Sequence, residues 1–335
     1  MKKTLLILLL CVPLMGFGQI NEFPSRYSLE SFTPSSIKQV GQMCESYALS
    51  TIRTIIYAKN NNNVDSLWIE QNRFSPFFLY YMYVGSKNQK CKVPCPSRVY
   101  VNPDKTDEGY GKIVSYYGLL QFMKDYGIAK MSNVESNEYY PSTNKKLWRC
   151  YPSDSSGMKS DLLKAKQYRI DSFQFVGNNF KKLRKSGVDS IKSNLLKGNP
   201  CMLNIGFNDK WPEKYRNKEL AKGIRNYNGK GVGHSMVIIA YDDNKFGGSF
   251  LVMNSYGVKW GIDGKIWIKY KDIKRLKGNS VISISSNKET STSEDRSPNY
   301  LDDLKSKKFR KDYFRSKPPV FKFINDQLEK KCTFN

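Results

Sequence analysis

One histidine in 335 residues is the chain's scarcest chemical resource. A lone imidazole excludes a two-histidine zinc site, and any histidine acid or base working near neutral pH must be His234. Acidic residues are short as well: 30 Asp and Glu stand against 55 Lys and Arg, a formal net charge of +25. Such an excess draws polyanions weakly and without sequence preference, so a basic surface is expected and no specific nucleic-acid partner. Beyond the first 18 residues no run approaches the ~20 apolar residues of a bilayer span, so the mature chain is expected to have no transmembrane segment. What is present is globular in composition, 39% hydrophobic and 25% charged, enough for a core and against wholesale disorder.

The N-terminus runs Met1-Lys2-Lys3, an apolar stretch over 5–15, then Gly16-Phe17-Gly18, the order of a secretory signal with cleavage expected after Gly18. Leu10 before Cys11 is bulky where lipidation wants a small residue. Export, periplasmic or extracellular, is therefore expected. Of the other six cysteines, Cys44 is set apart below, and disulfides are expected among Cys91, Cys95, Cys150, Cys201 and Cys332 without a pairing being readable. Cys91-Lys-Val-Pro-Cys95 has no second half for a metal site, and Cys201, inside an apolar run, reads as a buried free thiol. No metal or organic cofactor is called for.

From Cys44 the apolar residues Tyr47, Ala48, Ile52, Ile55 and Ile56 recur at helical spacing until the polar break Asn60-Asn61-Asn62-Asn63. Ser75-Pro76 opens a second helix, and 113–126 forms a third that ends at Gly127. Residues 188–196 predict a short helix; 200–205, 235–241, 250–254, 266–270 and 281–285 predict strands between glycine-bearing turns. Helices first and strands second give an α+β fold in two lobes, helical over about 39–190 and sheet over about 191–285. Residues 286–299 have linker composition, and 300–335 form a basic tail.

A thiol becomes a nucleophile at neutral pH when a helix N-terminus and a nearby imidazole lower its pKa. Cys44 opens a long helix; His234 follows Gly231 and Gly233 at the entrance of a strand; Asn254 closes the next strand and carries the oxygen that would hold the second ring nitrogen. Gly233-His234-Ser235-Met236-Val237-Ile238-Ile239-Ala240-Tyr241, then Asn254-Ser255-Tyr256-Gly257 and Trp260-Gly261-Ile262-Asp263-Gly264 resemble the histidine strand and the Asn-Ser-Trp-Gly and Trp-Gly-x-x-Gly motifs of papain-like cysteine peptidases.

The resemblance, over about 39–285, implies a papain-like fold with an antiparallel, barrel-like C-terminal lobe. It also implies peptide-bond hydrolysis through an acyl-enzyme, on peptide or protein substrates. It makes Cys44 the nucleophile, His234 the base, Asn254 the orienting amide and Gln39 an oxyanion donor, with Tyr256 and Trp260 in support. This sequence departs from the family pattern in four places. Gln39 lies five rather than six residues before Cys44, which leaves Gln42 as an alternative donor. Glu45 follows the cysteine where the family carries an aromatic or apolar residue, Tyr256 replaces a tryptophan, and only about 25 residues precede Cys44 after the signal, too few for a folded inhibitory propeptide. A second register that would put Ser46 on the nucleophile is rejected because Cys44-x-x-Tyr47-Ala48 fits a common bacterial form. The alternatives are a catalytically silent papain fold that binds, motivated by Glu45 and the shifted glutamine, and a basic polyanion-binding surface protein.

Overall fold

The helix beginning at Cys44 lies inside the protein, burying polar Ser46, Ser50 and Thr54 along with its apolar residues. The computed structural model describes residues 23–39, 43–87, 116–133, 156–176, 185–207, 214–221, 232–275 and 280–286. Strand β1 (Arg26–Ser28) and a 3-10 turn (Glu30–Phe32) lead into α1 (Cys44–Asn60), followed by α2 (Ser66–Gln71), α3 (Pro76–Lys87), α4 (Tyr116–Asp125) and α5 (Ser156–Lys166). Strand β2 (Ser172–Phe175) and helix α6 (Lys185–Leu196) come next. They precede β3 (Cys201–Phe207), β4 (Leu220–Ala221), β5 (Val232–Asp242), β6 (Ser249–Met253), β7 (Lys265–Lys269), α7 (Tyr270–Arg275) and β8 (Ser280–Ser285).

Helix α1 buries Tyr47, Ala48, Ile52, Ile55 and Ile56 as their spacing predicts, and packs on β5, β3, α3 and α4. It also buries Arg53, whose Nε donates to the Tyr168 carbonyl at 3.2 Å while its guanidinium lies 4.9 Å from the Phe74 ring centre. A cation inside a core is tolerated when aromatic faces and carbonyls replace water around it. Helix α3 starts at Pro76 because the Ser75 hydroxyl accepts from the Phe78 N–H at 3.1 Å, capping one unpaired donor of the first turn.

The strands form one sheet in the order β2-β8-β3-β5-β6-β7-β4, with β1 added to β5. All these pairs are antiparallel except β4 with β7. The α+β papain-like class is present, but the barrel-like expectation is corrected: among the described residues the sheet is open. Its end strands, β2 and β4, span four and two residues, too few ladder bonds to join the edges and close a cylinder. Two strands come from outside the segment 191–285: β2 lies at one edge, and β1 extends the side of β5 that β3 leaves at Ile238. Cys201 is a buried free thiol, pushed up to about 12 by burial, and the other cysteines named for disulfides lie outside the described residues.

Candidate active site

Strand β5 is longer than its neighbour β6, and that mismatch makes the site. The two pair from Val237↔Met253 to Asp242↔Ser249, whereas β3 pairs with β5 back to Val232. Residues before Val237 thus keep one ladder partner and face, on the other side, the chain leaving β6. His234 projects from this stretch, and Asn254 is the first residue past β6. Asn254 Oδ1 lies 2.7 Å from His234 Nε2 and also accepts the Ser255 N–H at 2.7 Å. The second bond fixes which end of the carboxamide faces the ring. Nε2 therefore carries the proton and Nδ1 is the basic nitrogen. Tyr256 stacks on the imidazole, centroids 4.8 Å apart and planes 17° from parallel, and Trp260 meets Tyr256 edge-on at 5.7 Å.

Asn254 is held by its backbone as well. Its N–H donates to the Gly264 carbonyl at 2.9 Å, and its own carbonyl accepts the buried Ser36 hydroxyl at 2.6 Å. Gly264 has φ +76°, and a Cβ there would sit 2.1 Å from the Ser36 Cβ, so only glycine fits this crossing. The segment before α1 continues along the same loop: Lys38 bridges Tyr256, the Gln39 N–H donates to the Ser255 carbonyl at 2.8 Å, and Gln39 Oε1 accepts the Ser255 hydroxyl at 2.5 Å. Gln39 is thus tied to the residue beside Asn254. Gln42, the alternative donor, lies outside the described residues.

Cys44, rather than Ser46, is the first residue of α1, where backbone N–H groups lack helical acceptors. Its sulfur meets Ser235, the residue after His234, through that residue's backbone N–H and hydroxyl. It also donates to Glu45 Oε2 at 3.3 Å. Burial raises the thiol well above its ordinary pKa and the Glu45 carboxylate raises it further, while the Ser235 contacts pull it back in part. Burial likewise lowers His234 to about 4, with the Asn254 bond opposing. The thiol is thus raised where a helix start and an imidazole were expected to lower it, and burial of both side chains favours the neutral form of each.

Sequence reasoning missed Ser36, Ser235 and Ser255. Two of the three follow a motif residue directly, in His234-Ser235 and Asn254-Ser255, which is the signal that could have found them. Among the described residues no group of three or more His, Cys, Asp or Glu side chains is placed to hold a metal ion.

The model of the papain family cysteine proteases matches residues 118–286, just over half of the chain and including His234 and Asn254 but not α1. Among solved structures the chain is similar to xylellain, a cysteine protease from Xylella fastidiosa, with TM-score 0.51 and 16% identity over 79% of this chain and 87% of that one. It is also similar to the digestive procathepsin L 3 of Tenebrio molitor larval midgut, with TM-score 0.51 and 12% identity over 78% of this chain and 70% of that one. A third likeness is to procathepsin B S9 from Trypanosoma congolense, with TM-score 0.51 and 12% identity over 80% and 79%. At such identities these likenesses speak for the fold, and that fold includes the region before residue 118. No curated protein matches the chain. Family match and fold agree, and the chain belongs to the papain family of cysteine proteases: it is a cysteine peptidase, a hydrolase of peptide bonds.

Proposed function

We propose that this peptidase works through Cys44, His234 and Asn254, with Gln39 as an oxyanion donor and Tyr256 and Trp260 covering the His-Asn pair. The observation that carries the reading is the 2.7 Å contact of His234 Nε2 with Asn254 Oδ1, under the Tyr256 ring and next to the residue that touches the Cys44 sulfur. Nδ1 takes the thiol proton as the sulfur attacks the peptide carbonyl. The oxyanion that forms is held by N–H donors, to which Gln39 contributes through its carboxamide. The C–N bond breaks as the imidazolium returns the proton to the leaving amine, leaving a thioester. Water, deprotonated by the same imidazole, attacks that thioester; the acid product leaves and the thiol is restored.

The chain acts after export, with residues 1–18 removed, residues 19–285 as the peptidase domain, and 286–299 linking a basic tail. Peptides and proteins met outside the cytoplasm are its substrates. An epoxide or vinyl-sulfone peptide tests the site: it should modify Cys44, leave Cys44→Ala unlabelled, and lose labelling in His234→Ala. Asn254→Ala should retain labelling but drop kcat about 10- to 100-fold, the cost of one buried hydrogen-bond partner. Labelling that ignores His234, or turnover that survives Cys44→Ala, overturns the assignment. N-terminal sequencing of the exported protein should begin at Gln19.

A further inference from the structure

Glu45 is the one departure that touches the reacting atom itself. Its Oε2 lies 3.3 Å from Cys44 Sγ and accepts the S–H. The same carboxylate takes a hydrogen bond from its own backbone N–H in the first turn of α1. A helix start offers a limited positive field and few open N–H donors, and a carboxylate there occupies what a thiolate would otherwise use.

We propose that Glu45 is a proton-holding residue for the nucleophile: its carboxylate keeps the proton on Cys44 and delays thiolate formation until the carboxylate is neutralised or drawn away by a bound substrate. The inference rests on Cys44 being the nucleophile. The charge balance around the pair is simple. From β5 come His234 and Ser235, and only Ser235 relieves the thiol. Of the other elements packed on α1, β3 contributes the buried neutral Cys201, and Glu30 of the 3-10 turn is engaged by Lys265 at 2.8 Å. Helix α3 carries only tyrosines as titratable residues over 76–83, and Lys124 and Asp125 of α4 leave both groups undisturbed. Among the described residues no lysine or arginine offsets the carboxylate. Deprotonating the sulfur therefore sets two negative charges side by side, with burial adding to the penalty.

The pH dependence of Cys44 alkylation by uncharged iodoacetamide, read by mass spectrometry on the full chain, tests this. In the wild type the rate should climb only on the alkaline side. Glu45→Gln keeps the size and removes the charge, and should move the midpoint down by about one pH unit, a ~10-fold faster reaction below the wild-type midpoint. Glu45→Ala should shift the same way, which separates charge from amide hydrogen bonding. Superimposable profiles, or a shift toward alkaline pH, overturn the proposal, as does failure of both variants to fold, which would make Glu45 a support of the helix start. If labelling still requires His234 while Glu45→Gln changes nothing, only this inference falls. If Cys44 resists alkylation at every pH in every variant, the nucleophile assignment falls with it.

Discussion

At His234 burial works against charge, and the consequence extends beyond chemistry to stability. The ring sits at about 4 in the fold against 6.5 in an unfolded chain. Between these values the unfolded chain binds a proton that the folded one refuses, so stability is full above pH 6.5 and lost as pH falls toward 4. The loss should amount to about 3 kcal/mol. Urea midpoints measured from pH 7.5 to 4 should fall less steeply in His234→Gln than in the wild type; parallel curves would mean that the imidazole is better hydrated than its surroundings indicate. The pairing of the two side chains proposed for the site was legible from their neighbours in sequence, since His234 and Asn254, 2.7 Å apart in the fold, lie inside runs of glycine and aromatic residues with a recognisable order. The field they live in was not legible. That a thiol at a helix start would be raised rather than lowered depends on how deeply α1 is buried and on where Glu45 points, and neither is written in spacing.

Among elements, the long buried ones announced themselves and the short ones did not. Helix α1 and strands β3, β5, β6 and β8 are continuous apolar or strongly periodic runs, and the sequence marked each within a few residues. Strands β1, β2 and β4 hold three, four and two residues at the margins of the sheet, with too little repetition for any period to show. Helices α2 and α5 are also absent from the pattern: α2 is six residues capped by Asp65, and α5 is mostly polar. The loop from Asn254 to Gly264 has its own test. Gly264→Ala combines a positive φ with a collision against Ser36, and should cost more than ~1 kcal/mol in urea unfolding while lowering kcat through Asn254. Gly233→Ala, where a Cβ would meet nothing within 4 Å, should leave stability within ~0.5 kcal/mol. Equal effects at the two positions would argue against the loop as the support of the orienting amide.

For the whole molecule, net charge and fold act separately. Residues 287–335 hold 12 Lys and Arg against 8 Asp and Glu, so most of the excess of +25 lies elsewhere in the chain. Retention on a sulfated matrix should fall steeply with salt, and should do so almost as much after deletion of 287–335 as before. Loss of all retention on that deletion would instead give the tail a binding role of its own. The layout of the molecule also binds its beginning to its working parts. Residues 26–28 complete an edge of the sheet, and residues 36–39 are hydrogen-bonded along the loop that carries Asn254. For anyone producing the enzyme, that makes the stretch from Arg26 to Gln39 untouchable: a removable purification handle belongs ahead of Phe23 or at the opposite terminus, and a stray protease nick within those fourteen positions would loosen the sheet and the Asn254 loop while leaving the chain from Cys44 onward uncut.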